Sequence, residues 1–269
     1  MIVLGLDTAT SATAVGLRLA DGSLIQARDD PEGEQRPGHA TRLLPLANRL
    51  LEEAGIGWGE VERIAVGVGP GTFTGLRIGV ATARGLAQSL EAELVGVSSL
   101  RALAHVAFAE AGVQAAVAGS AGEKAAQGVV GTDLADTRSS TVGSTGIWAV
   151  IDARRGEVFV AGYDRESELF GPRALAPANL AELLAELRKP AEAQVEVRDW
   201  IAVGDGALRY QDALEQLGVL VPAAVSPLHR VDARAICELG LHATVGEASV
   251  APDYRRRPDA EIALEGAVS

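Results

Sequence analysis

Apolar residues recur along this chain with two periods, one typical of strands and one typical of helices. Three short apolar runs open the sequence and predict an antiparallel meander: Ile2–Leu6, Ala14–Leu19 and Leu24–Arg28. Helices and strands are then predicted to alternate, at His39–Ala54 (helix), Ile64–Val68 (strand), Thr74–Ser89 (helix), Glu93–Val97 (strand) and Ser98–Ala111 (helix). The first part of the chain therefore has three strands followed by alternating α and β elements.

The same order begins again after residue 146. Strands are predicted at Ile147–Ile151, Glu157–Tyr163 and Trp200–Val203, and helices at Asn179–Leu187, Ala207–Leu217 and Asp232–His242. In each half a strand ends in an aspartate, Asp7 or Asp152, and folds back through a turn. Two such βββαβα lobes facing across a cleft make the actin-like ATPase (ribonuclease H-like) architecture, which is the α/β fold class we expect.

The length and composition favour two lobes over one core. We expect an N-terminal lobe over residues 1–111 and a C-terminal lobe over residues 147–269. Between them, residues 112–146 are rich in Gly, Ala, Ser and Thr and show little periodicity, which predicts a low-complexity insertion. No apolar run approaches the roughly 18 residues of a spanning helix. The chain is therefore expected to be cytoplasmic, without membrane contact.

A glycine-rich loop that continues into a helix is the most distinctive segment, GVGPGTFTGLRIGVATARGLA at residues 67–87. Within the helix Gly75, Gly79, Ala83 and Ala87 form one stripe beside Val80, whereas Arg77 and Arg84 lie on another side. The stripe permits close approach of another element, either in this chain or in a partner. No lysine follows Gly75 where a Walker loop requires one, so ordinary P-loop chemistry is not expected.

The helix His39–Ala54 carries an apolar arc wider than one core-facing stripe requires. The residues concerned include Leu43, Leu46, Ala47 and Leu50. A second chain could cover part of this arc, or both faces could be buried inside the same molecule. The residues alone leave both alternatives open.

The sequence contains some of the residues that bind nucleotide in this architecture. In an active phosphotransferase of this architecture, Asp7 would hold a metal–nucleotide complex, and Thr8, Thr10 and Ser11 would line the first phosphate loop. The second hairpin fits poorly, because Arg154 and Arg155 stand where glycine and a small hydroxyl residue usually admit phosphate. Because Asp7 and Thr8 nevertheless suit the first phosphate loop, a sugar-kinase-like ATP-dependent phosphotransferase is the alternative function.

Metal chemistry and direct nucleic-acid binding are disfavoured. The four histidines have no HExxH or HxxxH spacing, so no metal site is predicted. The formal net charge is −12. Since polyanion binding depends on clustered Lys and Arg, tRNA contact by this chain alone is not expected. The single Cys237 is expected to be a core thiol.

Five segments together resemble the TsaB family of bacterial tRNA threonylcarbamoyladenosine biosynthesis proteins. They are IVLGLDTAT at the N-terminus, HATRLLPLANRLL, the glycine-loop segment, LVGVSSLRALA and AVIDARRGEVFVAGYD. The resemblance covers residues 1–111 and 146–163 well and the C-terminal third loosely, chiefly through Asp253-Tyr254-Arg255. The insertion is longer than the family pattern leads us to expect.

The resemblance implies a non-catalytic partner of the related enzyme TsaD, with the ATPase TsaE as a further partner. It implies that the first two helices contact TsaD, through His39, Leu43, Leu46, Ala47, Leu50, Gly75, Arg77, Gly79, Val80, Ala83, Arg84 and Ala87. A homodimer is expected when the chain is alone, and tRNA contact only through the complex. No cofactor is expected to bind firmly, although ATP or ADP could lie at the partner interface.

Overall fold

The computed structural model describes residues 1–31, 35–110, 144–165, 167–187, 197–246 and 250–255. The strands are β1 Val3–Asp7, β2 Thr13–Arg18, β3 Leu24–Asp29, β4 Arg63–Gly69, β5 Glu93–Ser98, β6 Ser144–Arg154, β7 Glu157–Tyr163, β8 Glu168–Leu175 and β9 Val197–Val203. The α-helices are α1 His39–Ala54, α2 Phe73–Leu90, α3 over residues 99–110, α4 Leu180–Leu187, α5 Asp205–Arg209, α6 Gln211–Gln216 and α7 Ala233–His242.

Two mixed sheets share one strand order. In the first sheet the order is β3-β2-β1-β4-β5, and in the second it is β8-β7-β6-β9. β1 pairs antiparallel with β2 and parallel with β4, and β6 repeats this arrangement with β7 and β9. Beyond β9, Leu220 forms an isolated parallel bridge with Ile201, at the place that β5 takes in the first sheet. The expected duplication of a βββαβα unit is confirmed.

The sheets and helices form alternating layers, because both faces of each central strand are apolar. On β1, Leu4 and Leu6 pack towards α1 and α2, whereas Val3 packs towards α7. The second sheet is built alike: Trp148 and Val150 face α4, and the intervening residues face a core shared with α3 and α7. Strands buried on both faces are expected to read as nearly continuous apolar runs, which is what made β1 and β6 visible in the sequence.

Helix α7 lies late in the chain but packs on the first sheet. It contacts β1, β2 and β4, and glycines allow that contact to be close. A Cβ atom at Gly5 would lie 2.8 Å from the carbonyl oxygen of Ala233, and one at Gly16 would also collide with that residue. Helix α7 therefore links the C-terminal part of the chain to the N-terminal sheet. The predicted start of the C-terminal lobe at residue 147 stays a prediction.

Residues 250–255 also return to the first sheet. Val250 is fully buried in the core under α1 and α2, and the Asp253 amide donates to the Val68 carbonyl at 2.7 Å. Tyr254 then lies against Phe73, with ring centroids 5.0 Å apart. Arg255 pairs with Asp253, whereas the neighbouring arginines of the sequence lie outside the described residues. The Asp253-Tyr254-Arg255 motif therefore holds residues 253–255 beside the start of α2.

The structure differs from the sequence-based prediction at three elements. β8 was not predicted, because Gly171 and Pro172 interrupt its apolar pattern; proline is accommodated there since β8 is an edge strand. The helix predicted over Ala207–Leu217 is two short helices, α5 and α6, which meet at Tyr210. β6 begins at Ser144, inside the predicted insertion, and residues 111–143 lie outside the described residues.

Candidate functional site

The aspartate at the end of β1 is enclosed by its own chain. Asp7 is 1% exposed, and its carboxylate accepts hydrogen bonds from the Ser99 hydroxyl at 2.6 Å and from the Ala9 amide at 3.0 Å. Burial raises the pKa of Asp7, and the hydrogen bonds from Ser99 and Ala9 and the charge of Arg28 oppose that rise. Both carboxylate oxygens thus have partners inside the chain.

The glycines of the loop and of α2 make room for the chain that follows Asp7. The Thr8 hydroxyl donates to the Gly75 carbonyl at 2.7 Å, and Thr8 is fully buried. A Cβ atom at Gly75 would collide with the Thr8 carbonyl oxygen, and one at Gly79 would collide with the Thr8 hydroxyl. Since only glycine leaves this space, the small-residue stripe allows α2 to pack closely on Thr8 of the same chain.

This packing buries most of the residues that were predicted to face a partner. Leu43, Leu46, Ala47, Leu50, Val80, Ala83 and Ala87 belong to the core under α1 and α2. His39 is also buried, and its Nδ1 lies 2.9 Å from the Thr13 hydroxyl; burial is the main cause that lowers the pKa of His39. Of the residues named for this interface, only Arg77 and Arg84 are exposed. The partner contact itself stays a prediction.

The two helices still present an outer face to solvent. On α2 it carries Ala81 and Gly85, and on α1 it carries Leu44, whose exposed fraction is 46%. A Cβ atom at Gly85 would meet nothing within 4 Å, so no intramolecular contact requires glycine there. At the start of α2 the guanidinium of Arg77 lies 3.8 Å from the Phe73 ring centroid and 3.3 Å from the Tyr254 hydroxyl. We call Leu44, Arg77, Ala81, Arg84 and Gly85 the outer helix face.

We take β1 to α3 as the first lobe and β6 to α6 as the second. A cleft of about 680 Å³ lies between them. We call it the interlobe cleft. Its lining residues are Ser11, Pro31, Gln35 and Pro37 from the first lobe and Asp152, Arg154, Asp205 and Arg209 from the second. Of the four residues predicted to bind nucleotide, Ser11 lines the cleft, Thr10 is half-buried, and Asp7 and Thr8 are buried. Nucleotide binding by these residues stays a prediction.

Two arginines converge on one carboxylate at the second hairpin. The Asp152 Oδ2 atom lies 3.3 Å from an Nη atom of Arg154 and 3.1 Å from one of Arg209. The carboxylate is 6% exposed, whereas the two arginine side chains are 54% and 52% exposed. Arg154 and Arg155 both have positive φ, 64° and 53°, so the hairpin places bulky residues in a conformation that favours glycine. Phosphate could not approach this backbone as it approaches a glycine hairpin.

Asp205 completes the cluster. Its carboxylate accepts the Asp152 amide hydrogen at 3.0 Å. Burial raises the pKa of Asp205 to about 6, which the hydrogen bond from the Asp152 amide opposes and the charge of Asp152 assists. The charge of this side of the cleft therefore changes in mildly acidic solution.

The sequence pattern pointed to Arg154 in the second hairpin but not to Arg209. Arg209 lies 57 positions from Asp152 along the chain, and no motif joins the two. In the described ranges, no group of three or more His, Cys, Asp or Glu side chains is arranged to hold a metal ion. The helices within those ranges are also too short or too polar to cross a membrane.

The chain resembles known proteins, two of them over most of its length. The tRNA threonylcarbamoyladenosine biosynthesis protein TsaB of Escherichia coli is 29% identical over 231 residues, which is 83% of each chain. TsaB of Haemophilus influenzae is 38% identical over 108 residues, 40% of this chain and 44% of that protein. The solved structure of YeaZ from Pseudomonas aeruginosa superimposes with a TM-score of 0.61 at 28% identity, covering 88% of this chain and 89% of that one.

The duplicated sheets and the cleft between them define an α/β protein of the actin-like ATPase fold class. Residues 31–264 match the family model described as TsaD, tRNA N6-adenosine threonylcarbamoyltransferase. The chain belongs to this family, and its relatives place it among the TsaB proteins. It is accordingly involved in tRNA threonylcarbamoyladenosine biosynthesis.

Proposed function

We propose that this chain is a non-catalytic partner of a TsaD-type threonylcarbamoyltransferase, and that it contacts the enzyme through the outer helix face. TsaE joins the assembly as a further partner, and tRNA is contacted only through the complex. The observation that carries the proposal is the pairing, within the chain, of the two carboxylates that follow the first strand of each lobe. Asp7 is bound by Ser99 and Ala9, and Asp152 by Arg154 and Arg209.

That pairing counts against the alternative, a sugar-kinase-like phosphotransferase. Such an enzyme needs a carboxylate that can reach a metal–nucleotide complex in the cleft. Asp7 does not line the interlobe cleft, and releasing it would leave the Ser99 hydroxyl without its acceptor in a buried position. ATP turnover by the isolated chain, abolished by Asp7→Asn, would instead support the phosphotransferase.

Three features of the outer helix face favour contact with a partner. Gly85 is exposed within a helix, where glycine is about 0.5–1 kcal/mol less favourable than alanine. Close approach of a partner helix is one benefit that offsets this cost. Arg77 is held against Phe73 and Tyr254, and arginine and aromatic side chains are enriched where binding energy concentrates. Leu44 adds exposed apolar surface on the neighbouring helix.

The experiment that tests the proposal is association with the cognate TsaD, measured by size-exclusion chromatography with light scattering. Ala81→Glu places a charge on the outer helix face and should abolish association while leaving the unfolding temperature nearly unchanged. Ala185→Glu is the matched control, because Ala185 is an exposed helical alanine on α4 in the other lobe. Ala83 is unsuitable for this test, since it is fully buried and a glutamate there would unfold the chain.

Three outcomes separate the alternatives. Loss of association with Ala81→Glu alone supports the outer helix face as the interface. Equal association of both variants would contradict that assignment, and no association even with TsaE and nucleotide present would contradict the partner function. The same measurement on the isolated chain tests the expected homodimer, and added ATP or ADP tests whether nucleotide at the interface strengthens binding.

A further inference from the structure

Helices α1 and α2 carry an excess of positive charge on an acidic chain. The sequence has 36 Asp and Glu residues against 24 Lys and Arg residues. Helix α2 nevertheless contains no aspartate or glutamate, and α1 has acidic residues only in its last turn, at Glu52 and Glu53. The arginines of the two helices are all exposed, and we call them the four helix arginines: Arg42, Arg49, Arg77 and Arg84.

The spacing of these arginines places each pair on one side of its helix. Arg42 and Arg49 are seven positions apart on α1, and Arg77 and Arg84 are seven positions apart on α2. Seven residues make almost two helical turns, so the two charges of each pair lie one above the other. Since α1 and α2 pack beside each other, the two pairs belong to the same side of the first lobe as the outer helix face.

Acidic side chains of the same chain neutralise little of this charge. Among the four helix arginines, the described residues give an ion pair only to Arg42, whose Nε atom lies 3.6 Å from a carboxylate oxygen of Asp29. Arg49 and Arg84 have no ion pair within the part of the chain that the structure describes. Exposed positive charges that their own chain leaves unpaired attract a surface of the opposite sign.

We propose that the four helix arginines select a protein partner with a carboxylate-rich face and disfavour a second copy of this chain. The inference rests on the proposed function, because it concerns the charge of the surface that contacts the enzyme. An acidic face would give each guanidinium a carboxylate to bind. A two-fold symmetric dimer through this surface would instead bring the same patch of both copies together, so that like charges approach. The sign of the charge therefore distinguishes the two partners.

A protein partner suits this surface better than RNA does. Leu44, Ala81 and Gly85 are exposed on the same two helices, and a combination of apolar or small residues with charged neighbours is typical of a protein interface. RNA binding depends on many phosphate contacts, and the formal net charge of −12 opposes a polyanion. Binding of tRNA by the isolated chain that is lost in the arginine variants below would overturn the assignment to a protein.

Ionic strength tests the selection, because salt weakens attraction and repulsion alike. The Debye length falls from about 10 Å at 0.1 M to about 3 Å at 1 M salt. The association rate constant of the full chain with the cognate TsaD, measured by biolayer interferometry, should fall at least about tenfold between about 50 and 500 mM NaCl. Self-association of the isolated chain, measured by analytical ultracentrifugation, should become stronger over the same range.

Two variants assign the effect to the four helix arginines. Arg49→Gln and Arg84→Gln each remove one exposed charge and should each slow association with TsaD about threefold at about 50 mM NaCl, with little effect at about 500 mM. Both should strengthen self-association at low salt. Arg173→Gln is the matched control and should change neither measurement, because Arg173 is a 47% exposed arginine in the other lobe. Thermal unfolding checks that each variant folds.

The outcomes separate this inference from the proposed function. Association with TsaD at a rate that neither salt nor the two variants change would overturn the inference and leave the partner function intact. Self-association that weakens as salt is added would also overturn it, because opposite charges would then hold the two copies together. Failure to associate with TsaD at every ionic strength would contradict the partner function, and the inference with it.

Discussion

At the residue scale, close packing requires glycine at one position of α2 but not at another. Gly75 and Gly85 both lie in α2 and both belong to the segment that made the sequence distinctive. At Gly75 the missing Cβ makes room for the Thr8 carbonyl, whereas at Gly85 the surrounding space is open. Helical periodicity placed Gly75 on the small-residue stripe, but the pattern did not show what the stripe packs against.

This difference makes a prediction about stability. Gly75→Ala should lower the free energy of unfolding by about 1–3 kcal/mol, since the backbone of α2 must move away from Thr8. Gly85→Ala should raise it by about 0.5–1 kcal/mol, because alanine is the better helix former and nothing obstructs its Cβ atom. Urea unfolding of both variants provides the measurement, with each serving as the control for the other. A comparable loss of stability in both would show that α2 packs differently.

At the element scale, α7 shows how a short helix joins distant parts of the chain. The Arg63 side chain donates to the carbonyls of Gly240 and Leu241 at 2.8 and 2.7 Å, and it pairs with Glu93 at 2.5 Å. These carbonyls lie in the last turn of α7, where no further helical turn can satisfy them. One arginine of β4 therefore caps the helix and ties it to the first sheet.

Cys237 reports on whether α7 stays in place. The thiol is fully buried, and burial raises its pKa to about 12, so it should react with a thiol reagent only after α7 separates from the sheet. Arg63→Ala should increase the labelling rate by at least tenfold, because it removes the two cap bonds. Arg173→Ala, which removes an exposed ion pair elsewhere, should not change the rate. Rapid labelling of the unmodified chain would contradict this packing.

At the scale of the whole molecule, one core cluster contains residues of both lobes. The core between the sheets combines Val3 and Val95 of the first sheet with Ile147 and Phe159 of the second and Ile236 of α7. Removal of either half would expose this surface. We therefore expect that neither half of the chain folds on its own.

A chain truncated after residue 110 tests this arrangement. It retains the first sheet with α1, α2 and α3 but lacks α7, which covers β1 and β2. We expect it to show poorly dispersed amide resonances and no cooperative unfolding transition, whereas the full chain shows both dispersion and cooperativity. A cooperative transition in the truncated chain would mean that its own helices suffice to stabilise the first sheet.

Much of the fold was predictable from the sequence, because short-range patterns report burial. β1, β2, α1, β5 and β7 were predicted to within two residues, since their apolar residues follow the period of a strand or a helix. β8 was missed, because an edge strand tolerates Gly171 and Pro172 and needs little apolar content. The break between α5 and α6 was also missed, because the apolar period continues across it.

The sequence by itself determined most of the order of elements, the duplicated fold and the family, all of which depend on local pattern and on motifs read in order. Only the tertiary structure decided that the glycine stripe of α2 packs on Thr8, that Asp7 is paired with Ser99, and that Arg209 joins Arg154 at Asp152. The reason is physical: periodicity shows that a side chain is buried, but the partner in a hydrogen bond or ion pair depends on how distant segments pack.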